Sequence, residues 1–125
     1  SSSIWSVAVS SDEETVAVSC NDGTIAVLDD SFQDVHRFEV LGTTNRLSFH
    51  PSSKLLASAH QDGSVRLWDA VEGKELERKV PCDGGEATRC VSWSPTGSHL
   101  LVGCYSEDSS IVLMRHDEDH TLTKI

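Results

Sequence analysis

The sequence predicts an all-β chain built from three four-stranded antiparallel units, and three observations predict it. The chain repeats itself: segments headed by Val7-Ala8-Val9, Leu47-Ser48-Phe49 and Val91-Ser92-Trp93 align with one another at offsets of 40 and 44 residues. Apolar and polar residues alternate at period two, as in Thr15-Val16-Ala17-Val18-Ser19 and Ser64-Val65-Arg66-Leu67-Trp68, the pattern of a strand with alternating faces. Turn-forming residues punctuate these runs at regular intervals, so each copy reads as a meander of short strands.

In the first copy, strands are expected at about 4–10, 15–20, 24–29 and 35–41. Ser11-Asp12-Glu13-Glu14 breaks the first pair, and Asn21-Asp22-Gly23 supplies a glycine for a tight hairpin between the second and third. The second copy places strands at 45–50, 55–60, 64–69 and 75–80, with Pro51-Ser52-Ser53 and Gln61-Asp62-Gly63 as the equivalent breaks. Its last strand competes with a helix, because Val71 to Val80 carries good helix formers. The third copy gives 88–94, 99–105, 110–115 and 120–125, with Pro95-Thr96-Gly97 as its first turn and an insertion, Ser106-Glu107-Asp108, near the second. Unit boundaries follow at about 1–44, 45–87 and 88–125.

Composition narrows the function. A length of 125 residues fits one small domain, and 38% hydrophobic residues permit a buried core. Twenty acidic against ten basic side chains give a net charge of -10, which lacks the basic footprint of a direct nucleic-acid binder. No apolar run reaches membrane-spanning length, and the opening Ser1-Ser2-Ser3-Ile4-Trp5 has no signal-peptide pattern, so an intracellular chain without a membrane segment is expected, cytoplasmic or nuclear. Cys20, Cys82, Cys90 and Cys104 show no C-x-x-C pair, and reduced thiols are the expectation. Charge is uneven: residues 1–44 carry -7, residues 45–87 carry -1 and residues 88–125 carry -2.

The stretch Leu55-Leu56-Ala57-Ser58-Ala59-His60-Gln61-Asp62-Gly63-Ser64-Val65-Arg66-Leu67-Trp68-Asp69, preceded by Phe49-His50-Pro51, resembles a WD40 repeat. The first copy has Leu28-Asp29 and the third Met114-Arg115 in the Trp-Asp position. The resemblance implies three blades of a β-propeller. Propellers use about four to eight blades of about 40 to 45 residues, so three do not close a ring alone. The remaining blades are then expected in a longer chain or in another subunit. None of the copies carries the Gly-His dipeptide of the family's His-Ser-Asp-Trp hydrogen-bond tetrad, so in the second copy Ser58, Asp62 and Trp68 take the available parts, followed by Asp69.

Candidate sites follow from the same alignment. In the family, residues entering the first strand, and the residue before the turn Asp, face the surface where partners bind. The first column is Trp5, Asn45 and Arg89; the second is Asn21, Gln61 and Tyr105. Trp, Arg and Tyr are the types most enriched at interface hot spots. Cys20, His60 and Cys104 share one repeat position and could converge on a metal, but they read more simply as small or buried residues of the second strand. Cys82 and Cys90 flank Asp83-Gly84-Gly85-Glu86, read as a flexible connector, and His116-Asp117-Glu118-Asp119-His120 as a solvated hairpin. No nucleophile with an oriented base is legible, so no catalytic residue, metal or cofactor is assigned. The expected function is a non-catalytic protein-interaction scaffold within a multi-subunit complex, with protein partners that include a basic peptide or tail steered by the acidic first blade. A purely structural segment buried in an assembly is the alternative, and a metal-dependent propeller enzyme is the third.

Overall fold

A computed structural model describes residues 3–105 and 110–125, and the insertion Ser106-Glu107-Asp108 lies outside the described residues. Twelve strands form three separate four-stranded antiparallel sheets, each a simple meander in chain order. The first sheet holds β1 (Ile4–Val9), β2 (Val16–Cys20), β3 (Thr24–Leu28) and β4 (Asp34–Glu39). The second holds β5 (Thr44–Phe49), β6 (Leu55–His60), β7 (Val65–Asp69) and β8 (Lys74–Lys79). The third holds β9 (Thr88–Trp93), β10 (His99–Cys104), β11 (Ile111–His116) and β12 (Leu122–Lys124). The helix formers of 71–80 yield a strand because β8 pairs with β7 from Val65↔Lys79 to Asp69↔Lys74, and this tertiary pairing overrides local preference.

The sheets pack face to face as blades, with β1, β5 and β9 as neighbouring first strands. Two apolar cores result. One, between blades 1 and 2, gathers Ile25, Val27, Leu47, Phe49, Leu56 and Trp68; the other, between blades 2 and 3, gathers Leu55, Leu67, Val91, Trp93, Leu100 and Met114. Strand β6 is buried at all six positions, because Leu56 feeds the first core while Leu55, Ala57 and Ala59 feed the second. The glycines of the β2–β3 and β6–β7 hairpins sit against the chain entering the next blade. Gly23 (φ 95°) abuts the Val40 carbonyl and Gly63 (φ 93°) the Gly85 carbonyl, so a side chain at either position meets both backbone strain and a backbone clash.

The expectation of four reduced thiols is overturned. Cys82 and Cys104 form a disulfide with a Cα–Cα distance of 5.9 Å, leaving Cys20 and Cys90 free. The cause is topological: the chain leaving β8 folds back over the end of β10 before it starts β9, and Tyr105 N donates to the Ala87 carbonyl at 2.8 Å. Cys82 belongs to this connecting segment, outside any strand register, so sequence spacing gives no sign of its partner. Nor is the connector shapeless, since Asp83–Gly85 makes a turn of 3-10 helix.

Candidate functional site

The first strand of every blade carries one extra residue at the same place. In β1 the pairing runs Ile4↔Cys20 and then Ser6↔Ser19; in β5 it runs Thr44↔His60 and then Arg46↔Ala59; in β9 Thr88 faces Cys104 while Cys90 faces Gly103. The residues left without an opposite number are Trp5, Asn45 and Arg89. A β-bulge bends the strand and re-aims the side chain it releases. Here the three bulges stand side by side, because β1, β5 and β9 are adjacent.

Trp5, Asn45, Gln61 and Arg89 line one cavity of about 490 Å³, together with Arg46, Thr43 and Cys90. Asn45 is held in place by donating to the Gln61 Oε1 (3.2 Å) and the Thr88 carbonyl (2.9 Å). Arg89 lies over the ring of Tyr105, with Cζ 4.8 Å from the centroid, a cation–π contact that limits the side chain's freedom. Trp5 remains 56% exposed and Tyr105 61%, large aromatic surfaces with little cover. Asn21 stands at the edge of this group: its Oδ1 accepts from Ser3 N at 3.0 Å, and its carbonyl accepts from the Thr43 hydroxyl. Sequence columns missed Arg46, which follows the bulge residue Asn45 by one position. A bulge shifts facing by one residue, so the neighbour of each column residue was the place to look.

Of the residues assigned structural parts, Ser58 and Trp68 join a separate, buried assembly in blade 2, together with His60 and Thr44. Trp68 Nε1 donates to Ser58 Oγ (2.7 Å), Ser58 Oγ meets His60 Nε2 (2.6 Å), and His60 Nδ1 meets Thr44 Oγ1 (3.2 Å). Burial, reinforced by the charge of Arg66, pushes the His60 pKa down to about 4 and keeps the ring neutral. A neutral imidazole accepts from Ser58 at one nitrogen and donates to Thr44 from the other, so every member of the chain is satisfied. The backbone of His60 is also tied to blade 3, its N–H donating to Thr88 Oγ1 at 2.7 Å.

Asp62 stands outside this chain. Its carboxylate accepts from Ser64 N and Oγ and pairs with the Arg66 guanidinium at 3.0 Å. Burial works against its ionisation, but the Ser64 hydrogen bonds and the Arg66 charge outweigh it and lower its pKa. Asp69 stabilises the next turn by accepting from Val71 N and Glu72 N.

The shared position of Cys20, His60 and Cys104 is kept at the ends of β2, β6 and β10, yet the three do different things. Cys104 is spent in the disulfide and His60 in its hydrogen-bond chain. Among the described residues no group of three or more His, Cys, Asp or Glu side chains is gathered as for a metal ion. His116 and His120 flank the β11–β12 turn and stack at 5.4 Å, with His116 also against Trp93, so this hairpin is packed onto the blade 2–3 seam. Burial, then the neighbouring charge of His120, lowers the His116 pKa.

A family model described as the anaphase-promoting complex subunit 4 WD40 domain matches residues 7–83, and one described as WD domain, G-beta repeat matches residues 79–113. The chain belongs to the WD40 family. Among curated relatives, the ribosome biogenesis protein ERB1 of Chaetomium thermophilum is 29% identical over 76 residues, covering 60% of this chain and 9% of that protein. Human ribosome biogenesis protein BOP1 is 36% identical over 67 residues, covering 54% and 9% respectively. The tRNA (guanine-N(7)-)-methyltransferase non-catalytic subunit wuho of Anopheles gambiae is 40% identical over 82 residues, covering 62% and 21%. This WD40 chain thus spans a minor part of the length of the relatives it matches. No helix among the described residues is long and apolar enough to cross a membrane.

Proposed function

We propose that this chain is a non-catalytic protein-interaction segment of a longer WD40 propeller, and that partners bind at the end of the blades where the three bulges meet. The observation that carries the reading is the convergence of Trp5, Asn45, Gln61 and Arg89 on one cavity, with Tyr105 stacked on the guanidinium. Hydrogen bonds hold Asn45 and the Tyr105 ring holds Arg89, so part of the ordering cost of these anchors is met before a partner arrives. The acidic first blade offers a secondary contact for a basic peptide or tail. Residence inside the cell belongs to the same proposal, in keeping with relatives named for ribosome biogenesis.

Further blades of the same kind would cover the two terminal faces. Val7 and Val9 on blade 1, and Leu101, Ile111 and Leu113 on blade 3, are 39–69% exposed on sheet faces that in blade 2 are buried. The alternative is a segment buried in an assembly without a discrete partner site. Alanine at Trp5 and Arg89 in the full chain separates the two. A reduced yield of co-purified partner at unchanged melting temperature is expected, whereas loss of assembly together with stability would replace the proposal with the structural one.

A further inference from the structure

The cavity has a chemistry opposite to that of the chain. Six arginines occur in the sequence, and Arg37, Arg66, Arg78 and Arg115 each pair with a carboxylate at 2.8–3.2 Å. The other two, Arg46 and Arg89, make no ion pair among the described residues, and both line the cavity. No carboxylate is among its described lining residues. Two guanidiniums with no carboxylate partner among the described residues, in one concave surface of a chain of net charge -10, form a local positive site in a negative field.

The remaining polar groups point the same way. The indole N–H of Trp5 and the side-chain amide N–H groups of Gln61 have no hydrogen-bond acceptor among the described residues, and Asn45 holds Gln61 by its oxygen, leaving that amide nitrogen as the free end. The lining is therefore rich in donors. Tyr105 holds the guanidinium of Arg89 through a cation–π contact, and no described residue accepts from its N–H groups, which suits a carboxylate bound through two parallel hydrogen bonds.

We infer that the cavity at the aligned bulges binds an acidic, carboxylate-bearing segment of a protein partner, with Arg89 and Arg46 as its two cationic anchors and Trp5 as the apolar wall. This rests on the interaction reading above and adds the charge of the segment. The negative remainder of the chain repels the same segment elsewhere, which confines it to the cavity and makes the contact dependent on salt.

The test uses the full chain and a fluorescein-labelled pentaglutamate peptide, with labelled pentalysine as the opposite probe, followed by anisotropy. Saturable pentaglutamate binding that weakens about tenfold in each of Arg46→Gln and Arg89→Gln is expected, the change for one charge-assisted hydrogen bond lost. Raising salt should weaken it in the wild type and less in the double variant. Pentaglutamate binding that is undetectable, or unchanged in both variants, overturns the inference, as does competition by pentalysine for the same site. Partner co-purification with the Trp5→Ala variant keeps the two proposals apart. If the peptide fails but Trp5→Ala still releases the native partner, the interaction reading stands and the acidic segment falls; if neither responds, both fall.

Discussion

Blades 1 and 2 share strand order, hairpin glycines and bulge position, yet differ in what fills the space between their sheets. In blade 2 Trp68 is 4% exposed and His60 fully buried, and a continuous hydrogen-bond chain joins Trp68, Ser58, His60 and Thr44. In blade 1 the matching positions are Leu28, Val18, Cys20 and Ile4, and the face that holds Leu28 and Val18 also holds the half-exposed Val7 and Val9. The difference teaches what the polar chain requires. Buried polar groups are tolerable only when all are satisfied and water is excluded. Blade 1 provides that cover for blade 2, through Phe38 stacked on Trp68 and His36 bonded to the Val71 carbonyl at 2.8 Å.

The most direct way to break the comparison is Trp68→Ala set against Leu28→Ala. Trp68 joins the blade 1–2 core and is the donor that orients Ser58, so its removal should cost about 3–5 kcal/mol. Leu28 is only half-buried and has no polar dependants, so its loss should cost about 1 kcal/mol. Urea unfolding of both variants checks the ratio. Equal losses would mean that the polar chain contributes nothing beyond packing.

Acid titration sharpens the same contrast. His60 has its pKa lowered from 6.5 to about 4 in the folded protein, so below 6.5 the unfolded chain takes up a proton that the native ring resists. Stability from the neutral ring is complete above pH 6.5, declines as pH falls through the window from 6.5 to 4, and is lost below it. The full loss amounts to about 3 kcal/mol. The partly buried His116 has the same sign, so the measurement is the difference between wild type and His60→Gln across that window. The wild type should show the steeper decline, and parallel curves would remove His60 as the source.

Much of this was legible in the residues. Period-two alternation located strands such as β2 and β10, whose buried positions recur every second residue, while β6, buried on both faces, was located by its turns and by the Trp68-Asp69 signature that follows it. The role of His60 was legible in principle and missed. On a strand, Ser58 and His60 share a face, and that spacing alone brings the ring to the hydroxyl. The Cys82–Cys104 pair was not legible, since a connector between blades has no register to count along. At the cavity the columns found Trp5, Asn45 and Arg89, but not Arg46, because a bulge is a property of the pairing between two strands and leaves no mark in either one alone.

The smallest expected effect lies at the seam between the two blades. Phe38 of β4 stacks on Trp68 with ring centroids 4.4 Å apart and planes 20° from parallel, and it is a partly buried side chain that blade 1 packs against the shared core. Phe38→Leu keeps most of the apolar area and removes the ring contact, which should cost about 1 kcal/mol. The informative readout is Trp68 itself. If blade 1 protects the hydrogen-bond chain, the Trp68 indole N–H in Phe38→Leu should exchange with solvent deuterons faster than in the wild type, while overall stability shifts little. Unchanged exchange would locate the protection deeper, in Leu47, Phe49 and Leu56, and reduce Phe38 to an ordinary packing residue.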